Sequence, residues 1–199
     1  MNQKYRLSRR LGLKSLGAIG AATLFRGAAE AAPLSAESKA GKSAEGKPAV
    51  DNVDLSVARF GKGHSCAQAV FSVFAEQMGM DYQTAVKLTS GFGGGMGLGS
   101  VCGAVTGSFM AIGLKFGGTE PKAKEQTSKL VREFAERFKA QHGSVNCRDL
   151  LGCDLNTPEG RQKAREKNVH STICTGIVRD AAKILNGLLT EQRRDSGKA

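Results

Sequence analysis

The stretch Ser65-Cys66-Ala67-Gln68-Ala69-Val70-Phe71-Ser72-Val73-Phe74-Ala75-Glu76-Gln77-Met78-Gly79 carries both ends of a helix and its buried face. Ser65 is a favoured N-cap, because its hydroxyl can accept from the unpaired N–H groups of a first turn. Ala69, Val70, Val73, Phe74 and Met78 recur at three- and four-residue spacing, which lines them along one side of a helix. Gly79 supplies the stop. The same grammar repeats in both directions, and no segment alternates with period two.

Asp81 can cap a short helix through Ala85, Val86 and Leu88. From Gly91 to Gly99 the chain is too rich in glycine for either regular structure. Helix resumes around Val101, with Val105, Phe109, Ile112 and Phe116, and stops at Gly117-Gly118. Pro121 opens a long helix through Leu130, Val131, Phe134, Ala135 and Phe138, closed by Gly143. Asn146 caps a short helix to Leu151, and Thr157-Pro158-Glu159 begins another. A last helix holds Ile173, Ile177, Val178, Ala181, Ile184, Leu185 and Leu188. The prediction is all-α: a compact multi-helix bundle with a glycine-rich loop before a central helix.

A chain of 199 residues, 40% of them hydrophobic, has room for one such domain plus appendages. Its formal charge of +11 invites a nucleic-acid or membrane reading. The N-terminus weakens that reading. Ser8-Arg9-Arg10-x-x-Leu13-Lys14 resembles the twin-arginine export signal, with Gly12 where that signal usually has Phe. Ser15 to Phe25 is weakly apolar and about half the length a membrane span needs. Ala29-Glu30-Ala31 places small residues at −3 and −1 of a cleavage point after Ala31. Residues 1–31 hold six basic groups against Glu30 alone, so their removal lowers the charge from +11 to +6. The Ala/Ser/Gly/Lys stretch over 32–50 reads as a flexible linker, 51–189 as the domain and 190–199 as a disordered tail. No basic stripe is interleaved with aromatics, so no nucleic-acid partner is expected. The expected compartment is the periplasm or beyond, and the expected partners are the twin-arginine translocation machinery and a redox protein. That machinery moves folded proteins, often because a cofactor must be inserted first.

Five cysteines remain to be explained. None pairs as CxxC and no CxxCH occurs, which excludes thioredoxin-type motifs, zinc ribbons and covalent c-type haem. Cys66, Cys102 and Cys147 each fall at a predicted helix N-terminus, where the helix dipole favours thiolate over thiol. Cys174 lies on the buried edge of the last helix, and Cys66 shares a face with Ala69, Val70 and Val73. At least two thiols therefore point inward from distant parts of the chain. Cys153, at the end of Leu150-Leu151-Gly152-Cys153-Asp154, is expected outside this set. Three readings stay open on spacing alone: structural disulfides, a metal or iron–sulfur site, and a redox-active dithiol.

Cys102-Gly103-Ala104-Val105-Thr106-Gly107, after Ser90-Gly-Phe-Gly-Gly-Gly-Met-Gly97, completes a pattern. Over roughly Val53 to Leu189 the chain resembles the bacterial redox-active family named for its cysteines, C…GCAxxG…C…C. Cys66 in Ser-Cys-Ala-Gln-Ala-Val looks like the first motif cysteine, and Cys102 like the second. Cys147 in Asn-Cys-Arg-Asp-Leu-Leu-Gly looks like the third, and Cys174 in Ile-Cys-Thr-Gly-Ile-Val like the fourth. A similar domain accompanies haem-binding segments in split-Soret cytochromes c and is associated there with an iron–sulfur site. The haem motifs are missing here. The resemblance implies four thiols acting together, with an iron–sulfur cluster as the leading cofactor; four Cys ligands suffice for a [2Fe–2S] or [4Fe–4S] centre. A thiol–disulfide couple and a disulfide-stapled interaction module are the alternatives.

Other motifs are weaker. The glycine run contains neither GxGxxG nor GxxxxGK[ST], and it follows a helix, so nucleotide binding is not supported. The run is either a flexible connector or a cradle in which backbone approaches a neighbour closely. Gly103 and Gly107, four apart, make a flat helical face suited to packing. His64, two residues before Cys66, is a candidate base or alternate ligand; His142 and His170 read as structural and exposed. No pair of carboxylates stands out as an acid–base couple, so hydrolase chemistry has no support.

Overall fold

The computed structural model describes residues 51–196, and the expected leader and linker lie outside them. The described chain is all-α. Its helices are α1 (Asn52–Gly61), α2 (Cys66–Gln77), α3 (Tyr82–Leu88), α4 (Gly103–Phe116), α5 (Pro121–His142), α6 (Cys147–Leu151), α7 (Pro158–Glu166) and α8 (Thr175–Ser196). Among the described residues no helix is long and apolar enough to cross a membrane.

The helix starts follow the sequence. Ser65 caps α2 in a reciprocal box: its Oγ accepts from Gln68 N (3.3 Å), and its own N–H donates to Gln68 Oε1 (2.9 Å). Asp81 accepts from Thr84 N to start α3, and Thr157 accepts from Gly160 N to start α7. Gly143 closes α5 in the left-handed conformation at φ 76°.

The amphipathic reading of α2 is too modest. Ala67, Ala69, Val70, Phe71, Ser72, Val73, Phe74 and Ala75 are all buried, so the helix is enclosed on nearly every side. Its principal neighbour is α4, and α1 and α8 pack together beside the pair. Leu130, Phe134 and Phe138 of α5 close the core, with Phe134 edge-on to Phe109 at 5.7 Å between ring centroids. The buried Ser72 hydroxyl is satisfied by Arg59 Nη1 of α1 at 2.7 Å.

Three elements depart from expectation. Helix α1 lies outside the expected set of helices; Asp51 caps it by accepting from Val53 N (3.1 Å), and Val53, Ser56 and Phe60 are buried at helical spacing. The last helix runs past Leu189 to Ser196, so 190–196 are not a disordered tail. The reason is tertiary: Arg137 of α5 donates to Glu191 Oε1 and Oε2 (3.0 and 2.7 Å) and to Glu133 Oε1 (2.6 Å). Lastly, α4 begins at Gly103, because Val101 is extended and forms an isolated antiparallel bridge with Asn146.

Candidate functional site

That bridge assembles half of the site. Cys102 N–H donates to Val145 O (2.8 Å) and Cys147 N–H donates to Ser100 O (2.7 Å), which ties the starts of α4 and α6 together. Cys66 is the first residue of α2, Cys102 is the N-cap of α4, and Cys147 is the first residue of α6. Cys174 ends a wide turn, His170–Cys174, that feeds directly into α8. All four are free thiols and all four line one cavity of about 220 Å³. The rest of the lining is largely aliphatic, with Leu150, Leu151, Leu155, Val169 and Ile177.

Gly94 of the glycine-rich loop also lines the cavity, and behind it the loop and the motif glycines form a close-packed cradle. Gly95 sits at φ +64°, and a Cβ there would meet Ser100 O at 2.6 Å and Cys147 Cβ at 2.8 Å. A Cβ on Gly103 would lie 2.5 Å from Cys66 Sγ and 2.7 Å from Phe92 O. Gly107 faces Ala67 O, the helix–helix packing role expected from its spacing. Gly103 does more than pack, since its missing side chain makes room for a sulfur.

Charge is distributed unevenly over the thiols. Cys66 is lowered from the ordinary value of 9.0 to about 6. The largest cause is the hydrogen bond with the Cys102 thiol, opposed by burial and aided by the backbone N–H groups of Gly94, Ala67 and Gly103. Cys102 is pushed up, first by that same bond and then by burial. Cys102 therefore donates and Cys66 carries the negative charge, because Cys66 has three backbone donors and Cys102 has one, Ala104. Cys147 and Cys174 are each pushed up to about 12, by burial first and then by the charge on Cys66. Four thiolates cannot coexist in so apolar a cavity unless positive charge enters with them.

Cys153 does not line the cavity. It is buried behind it against Cys147, Leu151, Ala164 and Val169, close enough to help raise Cys147 and Cys174. His64 is also absent from the lining: its Nδ1 is 2.9 Å from Arg59 O and its Nε2 2.6 Å from the Tyr82 hydroxyl, which fixes the turn before Cys66. His170 is exposed, as expected, and it also lines the cavity and stacks on Phe60 with ring centroids 4.0 Å apart. Its position four residues before Cys174, one turn away on a helix, was the signal.

The donor set fits a thiolate-bound cluster in kind, with four soft ligands, backbone N–H groups aimed at sulfur and a dry wall. As they stand, no three His, Cys, Asp or Glu side chains among the described residues converge tightly enough to hold one metal ion. The thiols ring a space rather than meet at a point.

Known proteins share the cysteine pattern. A family model described as "Putative redox-active protein (C_GCAxxG_C_C)" matches residues 64–188, the segment containing all five cysteines. An uncharacterised protein of Archaeoglobus fulgidus is 30% identical over 141 residues, which is 65% of this chain and 87% of that one. No solved structure matches the chain. With all four pattern cysteines inside the matched segment and on one cavity, the chain belongs to the redox-active family named for the C_GCAxxG_C_C cysteine pattern.

Proposed function

We propose that the protein is an exported electron-transfer protein in which Cys66, Cys102, Cys147 and Cys174 hold an iron–sulfur cluster. The observation that carries this reading is the convergence of four free thiols, from the starts of α2, α4 and α6 and the turn before α8, on one cavity of about 220 Å³. When bound, such a cluster supplies a one-electron couple at a potential set by its surroundings. The chain's own residues would set those surroundings. The N–H groups of Ala67, Gly94 and Gly103 would donate to the Cys66 sulfur, while Leu150, Leu155, Val169 and Ile177 would exclude water. The Arg9-Arg10 leader supports assembly in the cytoplasm and export in folded form. Anaerobic purification followed by iron and acid-labile sulfide analysis tests the reading. Comparable amounts of both, lost together in C147S, are expected; a colourless protein free of iron overturns it.

A second reading rests on how closely the Cys66 sulfur approaches the start of α4, where a Cβ on Gly103 would lie 2.5 Å from it, and on the lowering of Cys66 by its Cys102 neighbour. In a thiol–disulfide exchange, the Cys66 thiolate would attack a substrate disulfide and release one substrate thiolate. Cys102 would then lose its proton, attack Cys66 and release the other substrate thiolate. Two electrons pass to the substrate, a Cys66–Cys102 disulfide forms, and two protons complete the substrate dithiol. Trapping the mixed disulfide in a C102S variant would favour this reading over the cluster.

A further inference from the structure

A second cavity, of about 550 Å³, adjoins the first. The two share Gly94, Leu155, Val169 and His170, so one wall separates this groove from the thiols. Its size falls within the roughly 300–1,000 Å³ of small-molecule sites. Its charged lining residues are Arg161 and Arg165, one turn apart on α7 and so on one face, and no carboxylate lines it among the described residues. Arg161 is held in place by its own Nη1, which donates to Leu155 O at 3.0 Å. The Arg165 guanidinium has no hydrogen-bond or ion-pair partner among the described residues, and Asn168, at φ 49°, closes the rim. Carboxylates close by are already engaged: Asp154 accepts from Asn156 N (2.9 Å) and pairs with Arg148, and Glu166 accepts from Gln162 (2.9 Å).

Two guanidiniums on one face, one fixed and one unpartnered, match a carboxylate or other oxyanion. We propose that this groove binds a small anionic molecule, its oxyanion group on Arg161 and Arg165 and its remainder against the wall shared with the cysteine cavity. The redox reading of the cysteines enters only in making that anion the substrate of the site; the binding itself does not depend on it. An acidic surface of a protein partner is a different occupant, and the poly-glutamate titration below separates it from a small anion.

Calorimetric titration of the purified full chain with citrate, at low salt, tests the proposal. One saturable site is expected. Its affinity should fall about tenfold or more in R161Q/R165Q, the loss of charge-assisted hydrogen bonds. R165Q alone should also weaken it, and because the Arg165 guanidinium has no partner among the described residues, this variant should keep its melting temperature. K122Q/K129Q, which removes as much charge from the groove along α5, should bind like the parent. No saturable site, equal affinity in R161Q/R165Q, or binding of poly-glutamate where citrate fails would each overturn the proposal. Iron analysis of the same preparation separates the two readings. Citrate binding to iron-free protein would leave the groove standing and defeat the cluster, and iron without citrate binding would do the reverse.

Discussion

Replacing Gly103 by Ala tests how the cavity is built, and Gly113 in the same helix provides the control. At Gly113 a new Cβ meets nothing within 4 Å. G113A should therefore stabilise by about 0.5–1 kcal/mol, the difference in helix propensity between Gly and Ala. At Gly103 the same methyl would sit 2.5 Å from Cys66 Sγ, 2.7 Å from Phe92 O and 3.0 Å from Ala67 N. Favourable carbon contacts lie near 3.5–4.0 Å, so the neighbours would have to retreat by roughly 1 Å. Two of the three atoms are backbone, and the third belongs to a residue fixed at the start of α2 by the Ser65 cap. Overpacking of this kind costs about 1–3 kcal/mol, and the first helical position recovers little through propensity. Urea denaturation of both variants should move the midpoints in opposite directions, a separation of about 1.5–4 kcal/mol in stability. G103A should also displace Cys66 from its donors and slow its alkylation. Equal stabilities, with Cys66 reactivity unchanged, would refute the claim that Gly103 exists to admit a sulfur.

In reduced, metal-free protein the nucleophilic form of Cys66 is the thiolate, so its alkylation should be fast above about pH 6 and lost as the pH falls through that value. C102A removes the principal donor and should shift the midpoint upward, toward the ordinary 9.0; a parental midpoint near 9 would contradict the hydrogen-bond argument. F134A empties a fully buried ring site in the core and should cost about 3–5 kcal/mol, a large share of a typical domain's stability, by the same urea measurement. C153A should retain the iron of the parent, since Cys153 does not line the cavity, whereas C147A should lose it.

What the sequence disclosed was local. Ser65, Asp81, Pro121, Gly143 and Thr157-Pro158 mark helix ends through bonds made within a few residues, and each lies where the structure uses it. Helix α1 carries the same kind of signal in Asp51, Val53 and Phe60. The extent of α8 is not legible in the same way, because the contact made there by Glu191 is with Arg137, distant in sequence. Nor was the bridge between Val101 and Asn146, which brings two cysteines together through backbone groups that any residue possesses. The glycine run could be a tether or a cradle on composition alone; only the approach of Gly95 to Cys147 decides for the cradle. The cysteine quartet emerged from a pattern spread along the chain, while the burial of Cys153 beside it depended on how α6 and α7 pack.

The central claim is that Cys66, Cys102, Cys147 and Cys174 behave as one site. Anaerobic alkylation of the protein as isolated, located by peptide mass spectrometry before and after iron chelation, addresses it most directly. In alkaline buffer, where the raised thiols can ionise, all four should be protected at first and become reactive when iron is removed. Protection of Cys66 and Cys102 as a disulfide, with Cys147 and Cys174 labelled throughout, would contradict the account.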